Sequence, residues 1–169
     1  MALPPERVDR LFAGMGCHTI GDFKAHIRNT MLGHISLNVI SPAGMSVNTE
    51  QMEFVKHCTD IYKSFIRPFL SQSKIYHHTP DLSEGTASIL EISAPDKSRS
   101  AITVIETVSN TPETVVVKPK GIDGSKNYKI ILDNDNTTFT LTGYLLKTQG
   151  IEVYIDSSLS SELILIEEI

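Results

Sequence analysis

The hydrophobic pattern of the chain changes its period near residue 80. Before that point apolar residues recur at helical spacing. The longest such run predicts a helix with apolar positions at Met52, Val55, Tyr62 and Ile66. Asn48 and Gln51 form a capping pair that predicts where this helix begins. We expect the helix to end at Arg67, because Pro68 disfavours helical geometry in the residue before it.

Shorter elements precede this helix. Asp22 is a suitable cap for a short helix that Gly33 would end. Alternating apolar residues predict a strand over 34–40, and 11–17 is apolar enough to be another strand or an end of helix. Strands and helices that alternate in this way are typical of a parallel sheet covered by helices. Because two such units cannot close a sheet, residues 1–73 are expected to be the last part of something longer.

After residue 80 the period changes to two, the spacing of a half-buried strand. The predicted strands are 88–92, 101–105, 114–117, 128–132, 139–141, 151–155 and 162–166. Residues typical of turns, such as those in 94–98 and 133–136, separate these segments. About seven short strands at this spacing predict an antiparallel β-sandwich over 74–169.

Charge and composition exclude some classes of function. The formal net charge is −5, which argues against a nucleic-acid partner, because such proteins draw affinity from clustered basic residues. The excess of acidic residues lies after residue 80. No apolar run is long enough to span a membrane, and residues 1–10 carry prolines and charges where a signal peptide is apolar. We therefore expect a cytoplasmic protein with no membrane partner.

Short motifs follow one another along the chain in an order that resembles glycoside hydrolase family 36, the alpha-galactosidase or melibiase type. The motifs are Gly16-Cys17-His18-Thr19, Leu32-Gly33-His34-Ile35-Ser36-Leu37, Tyr62-Lys63, Ile66-Arg67-Pro68, Gly121-Ile122-Asp123-Gly124, Tyr128, Gly143 and Gly150. This resemblance implies an α/β part, the terminal βαβα fragment of a (β/α)₈ TIM barrel over 1–73, followed by an all-β part, the antiparallel sandwich over 74–169. It also implies a parent enzyme that hydrolyses terminal α-linked galactose with retention and needs neither a cofactor nor a metal ion.

The resemblance assigns no catalytic residue to this chain. Enzymes of this kind use two carboxylates on either side of the sugar. In the family both are aspartates that precede the matched segment, so the chain alone is expected to be inactive. Asp123 belongs to a turn of the sandwich and takes neither role.

Residues that line the substrate are sought at the carboxyl ends of barrel strands, where active sites of such barrels lie. Cys17 and His18 follow the first predicted strand, and Ser41 follows the second. His18 is the first candidate to donate a hydrogen bond to a sugar hydroxyl. For His18 the alternative is a histidine bonded to neighbouring backbone. For Ser41 the alternative is a simple turn residue before Pro42.

Other reactive side chains are given structural roles. His77 and His78 are adjacent on an extended segment and point to opposite faces, so they are expected to pack between the two parts and not to bind one metal ion. Cys58 lies on the apolar face of the long helix and is expected to be buried and inert. Tyr128 is expected to bury its ring and to bond the backbone through its hydroxyl.

Glycines at three turns are expected to take positive φ angles: Gly121, Gly124 and Gly143.

The alternative function is a non-catalytic sandwich module that binds carbohydrate or a protein. The chain contains no Trp, which disfavours sugar binding by exposed aromatic rings. Self-association through an exposed barrel edge is a further expectation.

Overall fold

The protein is described by a computed structural model. The residues that it describes are 11–13, 23–33, 35–37, 47–79, 87–106, 113–155 and 161–169. The helices are α1 (Phe23–Asn29), α2 (Thr49–Ile61), α3 (Arg67–Leu70) and α4 (Gly143–Thr148). The strands are β1 (Leu11–Ala13), β2 (Ile35–Leu37), β3 (Lys74–His77), β4 (Ser88–Ser93), β5 (Arg99–Ile105), β6 (Glu113–Val117), β7 (Asn127–Leu132), β8 (Thr137–Thr142), β9 (Ile151–Ile155) and β10 (Ser161–Glu168).

The first part of the chain has the predicted order of strand, helix, strand and helix. β1 and β2 pair in parallel, with Leu11 opposite Ile35, and α1 lies between them in sequence. Asn48 accepts a hydrogen bond from the Gln51 backbone N–H, and the Gln51 side chain accepts one from the Asn48 N–H. The predicted capping box at the start of α2 is therefore confirmed.

The predicted end of the long helix at Arg67 is wrong, because helical backbone continues to Leu70. A π-helical turn over Tyr62–Ile66 joins α2 to α3, and the Arg67 N–H bonds the carbonyl of Tyr62, five residues back. Pro68 then occupies the first turn of α3. A proline is tolerated there because the N–H that it lacks has no intrahelical partner in a first turn.

The second part of the chain is antiparallel, as predicted. Six strands form one sheet in the order β3-β4-β5-β10-β7-β8, and β6 pairs with β9 in a second sheet. All seven predicted strands are present in these sheets. Two elements were not predicted: the edge strand β3, and α4, whose N-cap residue Thr142 accepts a hydrogen bond from the Leu145 N–H through its side chain.

The six-stranded sheet is buried on both faces, and β10 shows how. Leu163 and Leu165 pack against the helices, in a core that contains Ile27, Cys58 and Ile66. Ile164 and Ile166 point to the other face and pack against the β6–β9 sheet. Each fully buried Leu or Ile contributes about 1.5–3 kcal/mol of hydrophobic stabilisation. The helices therefore form a layer that shares its core with the sheet.

The expected positive φ angles at three glycines are wrong. Only Gly150 has one among the described glycines, at 87°. Gly121 and Gly143 are needed for a different reason, since a Cβ atom at Gly121 would collide with Ser93 and one at Gly143 with the Asp123 carbonyl. A Cβ atom at Gly124 would make only ordinary van der Waals contacts, with Tyr144 and Lys147. Gly121 is explained by the side chains of Ser93 and Glu91 that lie against it, and Gly143 by close approach of two backbones.

Within the described residues, no helix is both long enough and apolar enough to cross a membrane.

Candidate functional site

The three predicted substrate-lining residues lie outside the described residues. Cys17 and His18 follow β1 in the sequence, and Ser41 follows β2. β1 and β2 are parallel neighbours, so their carboxyl ends meet at one edge of their sheet. That Cys17, His18 and Ser41 line a substrate site stays a prediction.

A buried arginine joins the helical layer to one end of the six-stranded sheet. Arg28 of α1 is 1% exposed, and its Nη2 lies 2.6 Å from Asp133 Oδ2, in the turn between β7 and β8. Its Nη1 donates to Asn134 Oδ1 at 2.7 Å and to the Ser161 carbonyl at 2.6 Å. Glu162 Oε1 lies 3.9 Å from the same Nη2. We call these five residues the Arg28 cluster.

The two carboxylates of the Arg28 cluster are held in the interior by hydrogen bonds. Glu162 Oε1 accepts from the backbone N–H groups of Asp133, Asn134 and Leu163. Burial raises the pKa of Glu162, and the neighbouring Arg28 charge only partly offsets this. Asp133 Oδ1 lies 2.6 Å from His57 Nε2 of α2. Through these contacts α1 and α2 are joined to β10 and to the turn between β7 and β8.

A second buried carboxylate, Glu91 of β4, holds the turn that contains Gly121. It accepts from the backbone N–H groups of Lys120 at 2.9 Å and Gly121 at 2.8 Å, and from Ser100 Oγ at 3.0 Å. His78 Nε2 lies 2.7 Å from Glu91 Oε2, the oxygen that also accepts from the Lys120 N–H. Burial by itself would raise the pKa of Glu91, but these hydrogen bonds together lower it.

The contact between His78 and Glu91 corrects the interpretation of the histidine pair. His78 bonds the neighbouring strand of its own sheet, so it does not pack between the helical and β parts as expected. His77 is exposed. Among the described residues, no group of three or more His, Cys, Asp or Glu side chains is arranged to hold a metal ion.

Two further predictions about single side chains are confirmed. Cys58 is fully buried, and burial raises the pKa of its thiol to about 12, so it is not a nucleophile at neutral pH. Tyr128 is also fully buried, and its hydroxyl donates to the Lys97 carbonyl at 2.9 Å and accepts from the Asp123 N–H at 2.9 Å. Asp123 accepts from the Ser125 N–H and hydroxyl, as a turn residue does.

An open cleft of about 600 Å³ lies between α3 and the β4–β5 turn. Its lining residues are Pro68, Phe69, Gln72, Ala94, Pro95, Asp96, Ser98, Arg99, Glu167 and Glu168. Most of its charges already pair with one another or with Lys126: Arg99 with Glu167, and Lys126 with Glu168. Phe69, the aromatic ring in the lining, is 8% exposed. The cleft therefore presents neither a free ring nor a convergent set of unpaired polar groups.

The three buried carboxylates, Glu91, Asp133 and Glu162, do not have the setting of a catalytic pair. Retaining glycosidases place two carboxyl groups roughly 5–5.5 Å apart on either side of a sugar, in an open cleft. Glu91, Asp133 and Glu162 are buried and bonded to backbone or to cations, and none lines the described cleft. These three carboxylates connect one element of the fold to another.

Sequence patterns did not predict that Glu91, Glu162 and Arg28 would make these buried contacts. Glu91 and Glu162 occupy polar positions in or beside alternating strands, where solvent exposure is the usual expectation. Arg28 bonds residues that lie more than 100 positions away in sequence. Long-range pairs of this kind leave no local signal.

Neither a known family model nor a curated protein matches the chain. Solved structures do match. The galactosidase domain of the alpha-galactosidase-sucrose kinase AgaSK has a TM-score of 0.70 and 12% identity, over 89% of this chain and 20% of that one. A variant of the family 36 alpha-galactosidase AgaA from Geobacillus stearothermophilus, in complex with raffinose, has a TM-score of 0.70 and 16% identity, over 94% of this chain and 21% of that one.

The family 36 alpha-galactosidase AgaB from Geobacillus stearothermophilus has a TM-score of 0.64 and 17% identity, over 99% of this chain and 21% of its own. The chain thus spans about a fifth of the length of these enzymes. At these identities the similarity is one of fold. For the fold, the resemblance deduced from the motifs is confirmed.

Proposed function

We propose that this chain is the C-terminal part of a larger alpha-galactosidase-like glycoside hydrolase. Residues 1–73 would be the last βαβα of a (β/α)₈ barrel, and residues 74–169 the antiparallel domain that follows it. The support is the fold shared with alpha-galactosidases over 89–99% of this chain and about a fifth of theirs. In this proposal the parent enzyme hydrolyses terminal α-galactosides with retention, by two aspartates that this chain does not contain.

One observation supports the proposal more than any other. The helices that follow β1 and β2 share a hydrophobic core with the six-stranded sheet, and Arg28 links the two through buried ion pairs. An independent sandwich module has no need of a parallel βαβα unit on one of its faces. The similarity to alpha-galactosidases extends over both parts and is not limited to the β domain.

The role that follows for this chain is to support the barrel and not to perform the chemistry. A (β/α)₈ barrel has eight strand–helix units, of which the chain would supply two. Cys17, His18 and Ser41, which follow its two parallel strands, are proposed to line the sugar site of the parent. The six-stranded sheet would hold α1 and α2 in place behind those strands.

The DNA upstream of Met1 tests this proposal directly. We expect an in-frame continuation that encodes six more strand–helix units with two aspartates at strand ends. The longer protein should then bind raffinose, and substitution of His18 by Ala should weaken that binding without unfolding the protein. A stop codon directly upstream of Met1, together with the absence of any co-transcribed barrel, would contradict the proposal.

The alternative function, a carbohydrate-binding module, is favoured by one observation. Tyr144 and Tyr154 expose 66% and 59% of their surface, and exposed rings are what sugars stack on. Calorimetric titration of this chain with raffinose decides between the two. The enzyme-fragment proposal predicts no heat of binding. Binding that is lost in Tyr154→Ala or Tyr144→Ala, but kept in a Tyr76→Ala control, would favour the module.

A further inference from the structure

The two outer strands of the six-stranded sheet, β3 and β8, present different edges. β3 has four residues and carries the exposed charge of Lys74. Its His77 carbonyl accepts a hydrogen bond from Lys120 Nζ at 3.1 Å. Short length and a lysine are two of the features by which proteins keep a strand edge from pairing with another chain. The β3 edge is therefore protected.

The β8 edge has neither form of protection. Its six residues, Thr137–Thr142, include no charged residue and no proline. Its register with β7 continues over all six residues without a bulge. Among the described strands, β8 pairs with β7 and with no other, so its second edge has no strand beside it. An uncharged and regular edge strand of this length is a template for pairing with a further strand.

The side chains of β8 alternate between the two faces of the sheet. Thr138, Thr140 and Thr142 are exposed on one face. Phe139 and Leu141 pack against the core on the other face but are only partly buried. Pairs of threonines, and pairs that include an aromatic ring, are among the cross-strand neighbours that stabilise a sheet. A strand with the same alternation would also cover the part of Phe139 and Leu141 that stays exposed.

A second copy of β8 fits this edge when the two strands are antiparallel and related by a two-fold axis at Thr140. In that register Thr140 faces the same residue of the other copy, and Phe139 faces Leu141. Each contact is then made twice, as in the isologous interface of a two-fold dimer. Lys129, the charged residue of β7, lies opposite Thr140 within one copy. The two Lys129 residues of a dimer lie three strand spacings apart, about 14 Å, which is beyond the Debye length of about 8 Å at physiological ionic strength.

We propose that β8 is a self-association surface, through which two copies of this chain join their six-stranded sheets into one. The partner is a second copy because the alternation of β8 is its own complement in this register. β8 also carries no charge that would repel its copy. Since one pair of strands is a small interface, the dimer is weak and forms at high protein concentration. None of this depends on the enzymatic function proposed above.

Analytical ultracentrifugation of this chain over a range of concentrations tests the pairing. The mass of the unmodified chain should rise from 18.7 kDa toward twice that value as the concentration increases to about 1 mM. Thr140→Lys places two like charges opposite each other at the axis, about 5 Å apart, and should stay monomeric. Thr114→Lys adds the same charge at an exposed position of β6 and should associate like the unmodified chain. An unmodified chain that stays monomeric throughout, or a Thr140→Lys variant that dimerises as well, would overturn the proposal.

A disulfide at the axis tests the register and does not depend on whether Thr140→Lys folds well. The Cα atoms of directly opposite residues in antiparallel strands lie about 4.5–5.5 Å apart, a distance that a disulfide spans. With diamide as the oxidant, Thr140→Cys should form a covalent dimer on a non-reducing gel. In Thr138→Cys the two new thiols would be four residues apart along the strands, about 14 Å, and should not link.

The unmodified chain, which contains Cys17 and Cys58, gives the background from those two thiols. Cross-linking of Thr140→Cys well above both that background and Thr138→Cys supports the two-fold pairing. Equal cross-linking of the two variants, or none above background in Thr140→Cys, would show that β8 does not pair with its copy in this register.

Discussion

Two regions of the six-stranded sheet each bury a glutamate, with opposite effects on its pKa. Around Glu91, burial is outweighed by hydrogen bonds from His78, Lys120, Gly121 and Ser100, and the pKa falls. Around Glu162, burial outweighs the attraction of Arg28, and the pKa rises. Both side chains are almost fully buried, at 0% and 6% exposed, so the depth of burial does not explain the difference.

The difference lies in how the donors are shared. Glu91 has a histidine, a hydroxyl and two backbone N–H groups to itself. Glu162 accepts from three backbone N–H groups but shares one guanidinium with Asp133, whose charge raises its pKa further. The Glu91 carboxylate therefore connects β4 to the turn at Gly121, and it shares its donors with no other carboxylate of the described residues. The Arg28 cluster joins α1 to the sheet, and in it the pKa of Glu162 is raised.

Removal of Arg28 should have the largest effect. Arg28→Met leaves two buried carboxylates without their cation, and loss of one partner from a buried pair costs about 3–5 kcal/mol. The free energy of unfolding, measured by urea denaturation, should fall by that amount. The matched control is Arg67→Met on α3, where the side chain is exposed and stability should change little. A loss of less than about 1 kcal/mol in Arg28→Met would mean that the cluster does not hold the layers together.

Neutralising Glu91 should have the next largest effect. Glu91→Gln keeps the shape of the side chain but removes the charge that its donors bond, and hydrogen bonds to charged groups are worth about 1.5–3 kcal/mol. Urea unfolding should show a loss in that range. Glu152→Gln, at an exposed position of β9, is the control. Equal stabilities of the two variants would show that the hydrogen bonds to the Glu91 charge do not stabilise the fold.

The two glutamates should also give opposite slopes of stability against pH. Glu91 has a lowered pKa in the folded protein, so its stabilisation is present above the unfolded pKa and is lost as the pH falls. Glu162 has a raised pKa, so its contribution to stability is lost as the pH rises through its folded value. Between pH 8 and pH 3, the free energy of unfolding should therefore fall less in Glu91→Gln than in the unmodified chain. In the unmodified chain Glu162 should make the unfolding free energy decline as the pH rises toward neutral, and Glu162→Gln should remove that decline. Slopes of the same sign in both variants would refute the contrast between the two glutamates.

The smallest of these effects should come from the Tyr128 hydroxyl near the Glu91 region. Tyr128→Phe removes one donated and one accepted backbone hydrogen bond, at about 0.5–1.5 kcal/mol each. Thermal unfolding should move to lower temperature by several degrees. Tyr144→Phe, whose ring is exposed, should unfold at an unchanged temperature. Equal midpoints for the two variants would show that the Tyr128 bonds contribute nothing net.

Much of the fold could be predicted from the sequence because periodicity reports which face of an element is buried. Alternation in β9 identified it as a strand, and the pair Asn48 and Gln51 identified the start of α2. The end of the helix was missed because a π-helical turn before Pro68 lets the backbone continue. α4 was missed because it is short and follows a strand directly.

The attachments were not predictable from the sequence, and Glu91 shows why. It alternates with Leu90 and Ile92, a pattern that places it on a solvent face. The sheet is covered on both faces, so that face meets the turn at Gly121 and the carboxylate is buried. Arg28 likewise occurs in a short helix without any sign of its partners in the β domain. Such contacts depend on tertiary packing.

The most direct measurement of the central claim compares hydrolysis of an aryl α-galactoside by this chain and by the longer in-frame protein, with the anomer of the released sugar followed by NMR. We predict no turnover by this chain, and turnover with retention by the longer protein that is lost when either strand-end aspartate is replaced. Turnover by this chain alone that a single substitution within residues 1–169 abolishes would contradict it.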